Sequence, residues 1–354
     1  MINFLIKIYC LSTIIEFNRI KDTIWFMEYE ASYIKLLKNG ELQRRADYAL
    51  ELLQNCKCCP HYCKVDRTAI ERGKCLSGLL PIVSSYSPHF GEEPVLSGTK
   101  GAGNIFFGNC NLKCIYCQNY EISQNWKNEI TNEVSFEFLA DIMIELQERG
   151  CHNIGFVSPT HFTPAILKSI SIAAEKGLFI PLVYNSNGYD SVEMLKLLDG
   201  VVDIYLPDFK YGEDEYAKKY SLAENYFESA KAAIKEMYRQ VGAQLIYNGN
   251  VITRGLIIRH LVLPNGLAES EKVFKFIAEE LSSEINISLM AQYFPAHKAK
   301  TEILLSRGIK EREYEKVVCL LEKYDLQNGW IQGVESSDYY VPNFNNDRKN
   351  PFKN

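Results

Sequence analysis

Hydrophobic and polar positions along the chain follow two alternating periods. Leu42, Ala46, Ala49, Leu50 and Leu53 recur on one face of a 3.6-residue repeat, so 28–55 reads as helical, with Gly40 separating a short first helix from a second. Residues 81–86 read as a strand. The apolar run Asn104-Ile105-Phe106-Phe107, bounded by Gly103 and Gly108, reads as a short buried strand that ends in a loop. From there a steady alternation begins. Helix is predicted over 135–147, 163–176, 191–198, 223–240, 270–281 and 311–324. Strand is predicted over 153–158, 179–185, 201–207, 255–263 and 285–293, so that with 105–107 there are six strands.

Strands alternating with helices pair in parallel through right-handed crossovers, and near-continuous apolar strands suit a sheet covered on both faces. The expected fold class is therefore α/β, closed as a partial six-stranded parallel β/α barrel, with an open doubly wound sheet as the alternative. Residues 244–253 break the alternation, because Asn248-Gly249 carries the signature of a tight hairpin just before the fifth strand. Four segments are expected: a helical N-terminal extension over 1–55, a cysteine-rich segment over 56–100, the barrel over 101–334 and a flexible tail over 335–354. The tail has almost no aliphatic residues with which to bury a face.

Composition narrows the function classes. A formal net charge of -5 and a pI near 5.8 leave no basic stripe of the kind that binds nucleic acid through phosphates. The apolar run over 1–15 is interrupted by Lys7, lacks a cleavage site and is too short to span a bilayer. An over-extended start, with Met27 as the true beginning, is the expectation for residues 1–26, and no membrane association is expected. Eleven cysteines fall mostly into two tight groups, a spacing that belongs to metal ligation in a reducing, cytoplasmic compartment rather than to a disulfide framework. Cys10, Cys151 and Cys319 sit in apolar or helical surroundings and read as core thiols.

The first group, Cys110, Cys114 and Cys117, has the spacing C-x3-C-x2-C just past the end of a strand. A cube of four irons and four sulfides normally takes four thiolates, so three leave one iron open to chelate another molecule. A structural zinc knuckle is the alternative. The second group, Cys56, Cys59, Cys63 and Cys75, reads C-x2-C-x3-C-x11-C and supplies four thiolates from one loop, enough for a tetrahedral zinc or an auxiliary iron-sulfur cluster. Cys58 and His61 are spare ligands there.

The motif Cys110 to Asn119, with Tyr116 before its last cysteine, resembles the radical S-adenosylmethionine (radical SAM) superfamily. Together with His89-Phe90-Gly91-Glu92-Glu93-Pro94, Gly101-Ala102-Gly103 and Phe106-Phe107, it is similar to a subgroup related to the activating enzymes of pyruvate formate-lyase, over about residues 56–335. The resemblance implies the six-stranded open barrel, a 4Fe-4S cluster on Cys110, Cys114 and Cys117, and S-adenosylmethionine as the bound cofactor. It further implies reductive cleavage to a 5′-deoxyadenosyl radical that abstracts hydrogen. A glycyl radical enzyme or another protein is the implied partner, and flavodoxin or ferredoxin the implied electron donor. A small-molecule substrate stays open.

Ligands of parallel barrels sit at strand C-termini. The candidate cofactor contacts are therefore Ser158, Thr160 and His161 after the second strand, and Asn185 and Ser186 after the third. Asp208 and Lys210 after the fourth resemble an Asp-x-Lys element of the activases, and Arg259 lies on the fifth strand. The Gly-Gly-Glu turn common in radical SAM enzymes is absent after the second strand. Arg259, mid-run in an apolar strand, needs an anion: the S-adenosylmethionine carboxylate or an internal Asp such as Asp208. A rival from another class is a zinc-binding interaction module without radical chemistry.

Overall fold

The computed structural model describes residues 14–17, 29–69, 71–333, 342–345, 347–349 and 351–352. Ten strands form one sheet: β1 Ile14–Phe17, β2 Val83–His89, β3 Ala102–Phe107, β4 Ile154–Val157, β5 Leu182–Asn185, β6 Ile204–Tyr205, β7 Ile246–Asn248, β8 Val251–Leu261, β9 Asn286–Met290 and β10 Asn328–Gln332. The order is β1-β10-β9-β8-β6-β5-β4-β3-β2, with β7 paired to β8 off the path. Pairing is parallel from β3 through β10, while β2, β7 and β1 run antiparallel to β3, β8 and β10.

The period-2 alternation of each strand divides its side chains between two cores. Ile105, Phe107, Phe156, Tyr184, Tyr205 and Ile258 join the helices in the large core. Val183, Ile204, Leu206, Ile257 and Trp330 face the other way and meet Val95 and Leu96 of the short helix Pro94–Ser97. Both faces are thus covered, which explains the unbroken apolar strands. The helix Phe136–Glu148 starts where Ser135 Oγ accepts a hydrogen bond from Phe138 N at 3.1 Å.

Several expectations need correction. The six-stranded partial barrel is a larger, mostly parallel sheet with seven parallel strands. β10 escaped the pattern because it is five residues long and interrupted by Gly329, where a Cβ would lie 2.0 Å from Ile287 O. β2 and β1 end the strand path. The helices Ser32–Lys38 and Glu41–Glu51 of the N-terminal extension pack on the main sheet's helices: Leu42, Ala46 and Ala49 lie in the large core, and Arg45 donates to Asp199 O at 2.5 Å. The hairpin does not merely precede the fifth strand, since its second arm is the start of β8.

The described residues of the expected tail are packed. Phe344 and Phe352 pack on Phe106, and Arg348 pairs with the buried Glu129 at 2.7 Å. Two aromatic rings and one ion pair anchor it where aliphatic side chains are missing. Cys319 is exposed, whereas Cys151 is buried. Cys10 and Met27 lie outside the described residues.

Candidate cluster site

The loop that follows β3 is held from several sides before any ligand is considered. Gly108 has no room for a side chain, because a Cβ would sit 2.5 Å from Ile82 Cγ2. Asn109 adopts φ 63, and its N–H donates to Ile122 O at 2.8 Å. Lys113 N and Ile115 N donate to Ser221 O and Tyr220 O at 3.0 and 2.8 Å, so the loop is strapped to the end of the helix Asp214–Ser221.

Within that loop Cys110 and Cys114 are buried and Cys117 is half-buried. Each sulfur has a neutral polar partner. Cys110 Sγ accepts from Leu112 N at 3.4 Å and from Asn187 Nδ2 at 3.5 Å; Cys114 Sγ accepts from Ser221 Oγ at 3.0 Å; Cys117 Sγ lies 3.3 Å from Ser123 Oγ. Behind Ser221 the chain continues, with Tyr211 OH 2.7 Å from Ser221 Oγ and Tyr116 OH donating to Tyr211 OH at 2.7 Å. Burial pushes the Cys114 thiol up to about 12 and raises Cys110 and Cys117 as well, while the Lys210 charge pulls all three down. Three thiols in one loop, with hydrogen-bond donors aimed at sulfurs, fit the donor set of a 4Fe-4S cluster.

At the strand ends the candidates separate. Lys210 Nζ bonds Asp208 Oδ2 at 2.6 Å; burial opposes its charge, but Asp208 and the nearby thiols outweigh burial and raise its pKa. These two residues share the site with the cysteines. Ser158 takes φ 56, with its N–H on Asn185 O at 2.9 Å, and so makes the turn where the Gly-Gly-Glu sequence is absent. Asn185 lines a small cavity with Glu92, Asn104 and Leu206.

Thr160 and Ser186 are committed elsewhere. Both donate to Asp190, at 2.7 and 2.6 Å, and Tyr184 OH adds a third bond at 3.1 Å. Burial raises the Asp190 pKa against those three bonds. His161 lies beneath the loop, its Nε2 2.9 Å from Gly108 O, and burial lowers its pKa to about 3. Arg259 grips Glu93 at 2.8 and 2.6 Å and also bonds Glu92, while the Asp208 carboxylate is bonded to Lys210. Asp190, Asn187, Ser221 and Tyr211 escaped sequence reasoning. Only the polar turn that follows Tyr184 hinted at Asn187.

The second cysteine group is docked on the first. Cys56, Cys58, Cys59, Cys63 and Cys75 are free thiols lining one cavity with Arg67, Gly73 and His161. His61 Nε2 lies 2.9 Å from Asn111 O, between two cluster cysteines. Arg67 donates to His161 O at 2.6 Å, and the same His161 holds Gly108 O. Among the described residues no three His, Cys, Asp or Glu side chains close on one ion-sized point, in either group.

Similar proteins are known from several sources. Two uncharacterized proteins of Methanocaldococcus jannaschii match: one is 34% identical over 319 residues, covering 87% of this chain and 86% of that one, the other 29% identical over 309 residues, covering 81% and 84%. Among solved structures, TYW1 with a lysine-pyruvate adduct bound superposes with a TM-score of 0.38 at 13% identity, covering 62% of this chain and 73% of that one. HydG, a maturase of the FeFe-hydrogenase, gives 0.42 at 12% identity, covering 84% and 64%. The model of the radical SAM superfamily matches residues 104–289, more than half of the chain, from β3 through the three cluster cysteines to β9. The chain belongs to the radical SAM superfamily.

Proposed function

We propose that this protein is an enzyme that binds S-adenosylmethionine at a 4Fe-4S cluster held by Cys110, Cys114 and Cys117. The reading rests on one observation: three thiols of one strand-end loop, each with a neutral hydrogen-bond partner, beside a half-buried Lys210. When bound, the cluster supplies the electron that splits S-adenosylmethionine into methionine and a 5′-deoxyadenosyl radical, which takes hydrogen from the substrate.

The chain's own residues hold and shield this chemistry. Ser221, Ser123, Asn187 and the Leu112 N–H orient the sulfurs and stabilise charge on them. The Asp208–Lys210 pair offers both signs of charge to the amino-acid end of S-adenosylmethionine, whereas Arg259 is occupied by Glu92 and Glu93. The likeness of His89 to Pro94 and of Asp208-Phe209-Lys210 to the formate-lyase activases supports a glycine backbone in a glycyl radical enzyme as the substrate. Flavodoxin or ferredoxin would then be the electron donor, in the cytoplasm. Among the described residues no helix is long and apolar enough to cross a membrane.

Anaerobic reconstitution with iron and sulfide, reduction, and addition of S-adenosylmethionine test the reading. Both 5′-deoxyadenosine and methionine are expected, and Cys114→Ala should yield neither. A fully loaded, reducible cluster that forms neither product refutes the proposal, and stoichiometric zinc without iron supports the interaction module instead.

A further inference from the structure

Arg67 is 1% exposed, and its polar partners are unusual for a buried cation. Its guanidinium donates to Gly78 O from Nε at 3.1 Å and from Nη2 at 2.5 Å, and to His161 O at 2.6 Å, all neutral carbonyls. Its remaining polar contacts are the sulfurs of Cys56 and Cys58, both 3.9 Å from Nη1, and the guanidinium carbon lies 5.8 Å from the centre of the Phe162 ring. Among the described residues no carboxylate forms an ion pair with it. A buried charge without a counter-charge costs far more than carbonyl hydrogen bonds return, so an anion belongs in the same cavity. Among the described residues the only acids lining that cavity are thiols.

Neutral thiols do not meet the need. Four thiolates around a dication or around an oxidised 4Fe-4S cube, by contrast, leave a net charge of about -2. The local chain is folded for such a centre. Lys74 N donates to Cys63 Sγ at 3.4 Å, the same N–H to sulfur bond that Leu112 makes to Cys110. A Cβ at Gly73 would lie 2.9 Å from Cys63 Sγ, so the backbone passes directly over that sulfur. Tyr62, Lys64 and Leu76, flanking Cys63 and Cys75, all have positive φ (42, 58 and 61), a conformation that costs about 1 kcal/mol or more each without something to hold it. Cys58, outside the C-x2-C-x3-C-x11-C spacing and beside Cys59 in sequence, is the residue left over.

We propose that Cys56, Cys59, Cys63 and Cys75 bind a second iron-sulfur cluster, closed by four thiolates, with Arg67 as its buried counter-cation. A cluster rather than a single zinc suits five thiols that line one cavity abutting the loop of Cys110, Cys114 and Cys117. With no open iron, such a centre stores and passes an electron without binding S-adenosylmethionine. It sits directly against the loop of the first cluster through His61 and Asn111.

The deciding sample is the full chain carrying Cys110→Ala, Cys114→Ala and Cys117→Ala together, reconstituted anaerobically with iron and sulfide. It should retain about four irons and four sulfides per chain, and once reduced should give a paramagnetic signal that S-adenosylmethionine does not alter. In the otherwise native chain, Cys63→Ala should lower iron from about eight to about four per chain, while Cys58→Ala leaves it at about eight. Should circular dichroism show the triple variant unfolded, the native count decides: about eight irons supports the second cluster and about four overturns it. One zinc per chain in the triple variant, or no metal, also overturns it. None of these counts depends on S-adenosylmethionine cleavage, so the proposed activity and the second cluster can fail separately.

Discussion

The two cysteine groups touch, yet their surroundings differ in kind. Around Cys110, Cys114 and Cys117 the sulfurs' partners are hydroxyls, an amide and a backbone N–H; of the nearby cations, Lys113 bonds Cys110 O and Lys210 is tied to its own carboxylate, Asp208. In the second group Cys63 also meets a backbone N–H, but Cys56 and Cys58 face a guanidinium with no carboxylate of its own among the described residues. A neutral shell accommodates a site whose charge changes as cofactor binds and an electron arrives. A buried cation without a carboxylate of its own requires an anion in its cavity. His161 joins the two regions, its ring on Gly108 O and its carbonyl under Arg67.

The largest effect that bears on this contrast is expected from Cys114→Ala. Product formation should vanish while the second group keeps its metal, measured as nucleoside by chromatography and iron by mass spectrometry; loss of both would show that the regions are one site. Next comes Arg67→Met, which strips the cation from a buried anion and should cost about 3–5 kcal/mol in anaerobic urea unfolding, with Arg67→Lys recovering part. An unchanged midpoint would mean that Arg67 faces no anion.

A smaller effect concerns the residue that joins the regions. Because burial holds His161 at about 3, below the ordinary 6.5, the unfolded chain takes up the proton first. Stability from this group is therefore full above about pH 6.5 and is lost as pH falls toward 3. Between pH 8 and 5.5 the loss should be about 1 kcal/mol, and His161→Asn should lack it. Identical pH slopes in the two proteins would contradict the buried neutral imidazole. The smallest shift is expected from Ser221→Ala, which removes the donor to Cys114 Sγ and should lower the first cluster's reduction potential by roughly 20–65 mV, the equivalent of one hydrogen bond of about 0.5–1.5 kcal/mol. A potential that stays put would remove the hydroxyl chain from any role at the cluster.

The local parts of the fold were legible from the chain alone. Helix and strand periods, the stop at Gly40, the Asn248-Gly249 turn and the cysteine spacings each depend on neighbours within a few residues, and the helices and strands formed where those patterns predicted. Period and spacing also brought the three cluster cysteines to a strand end. What sequence did not determine is which polar groups satisfy one another. Arg259 meets Glu92 and Glu93 from 166 residues and more away, Thr160 and Ser186 converge on Asp190, and Arg67 faces sulfurs rather than a carboxylate. The seventh parallel strand and the packing of Phe344 on Phe106 were decided in the same way. Periodicity is a local property, but the cost of burying a charge or an unpaired donor is set by everything that surrounds it, and only the tertiary structure brings those surroundings together.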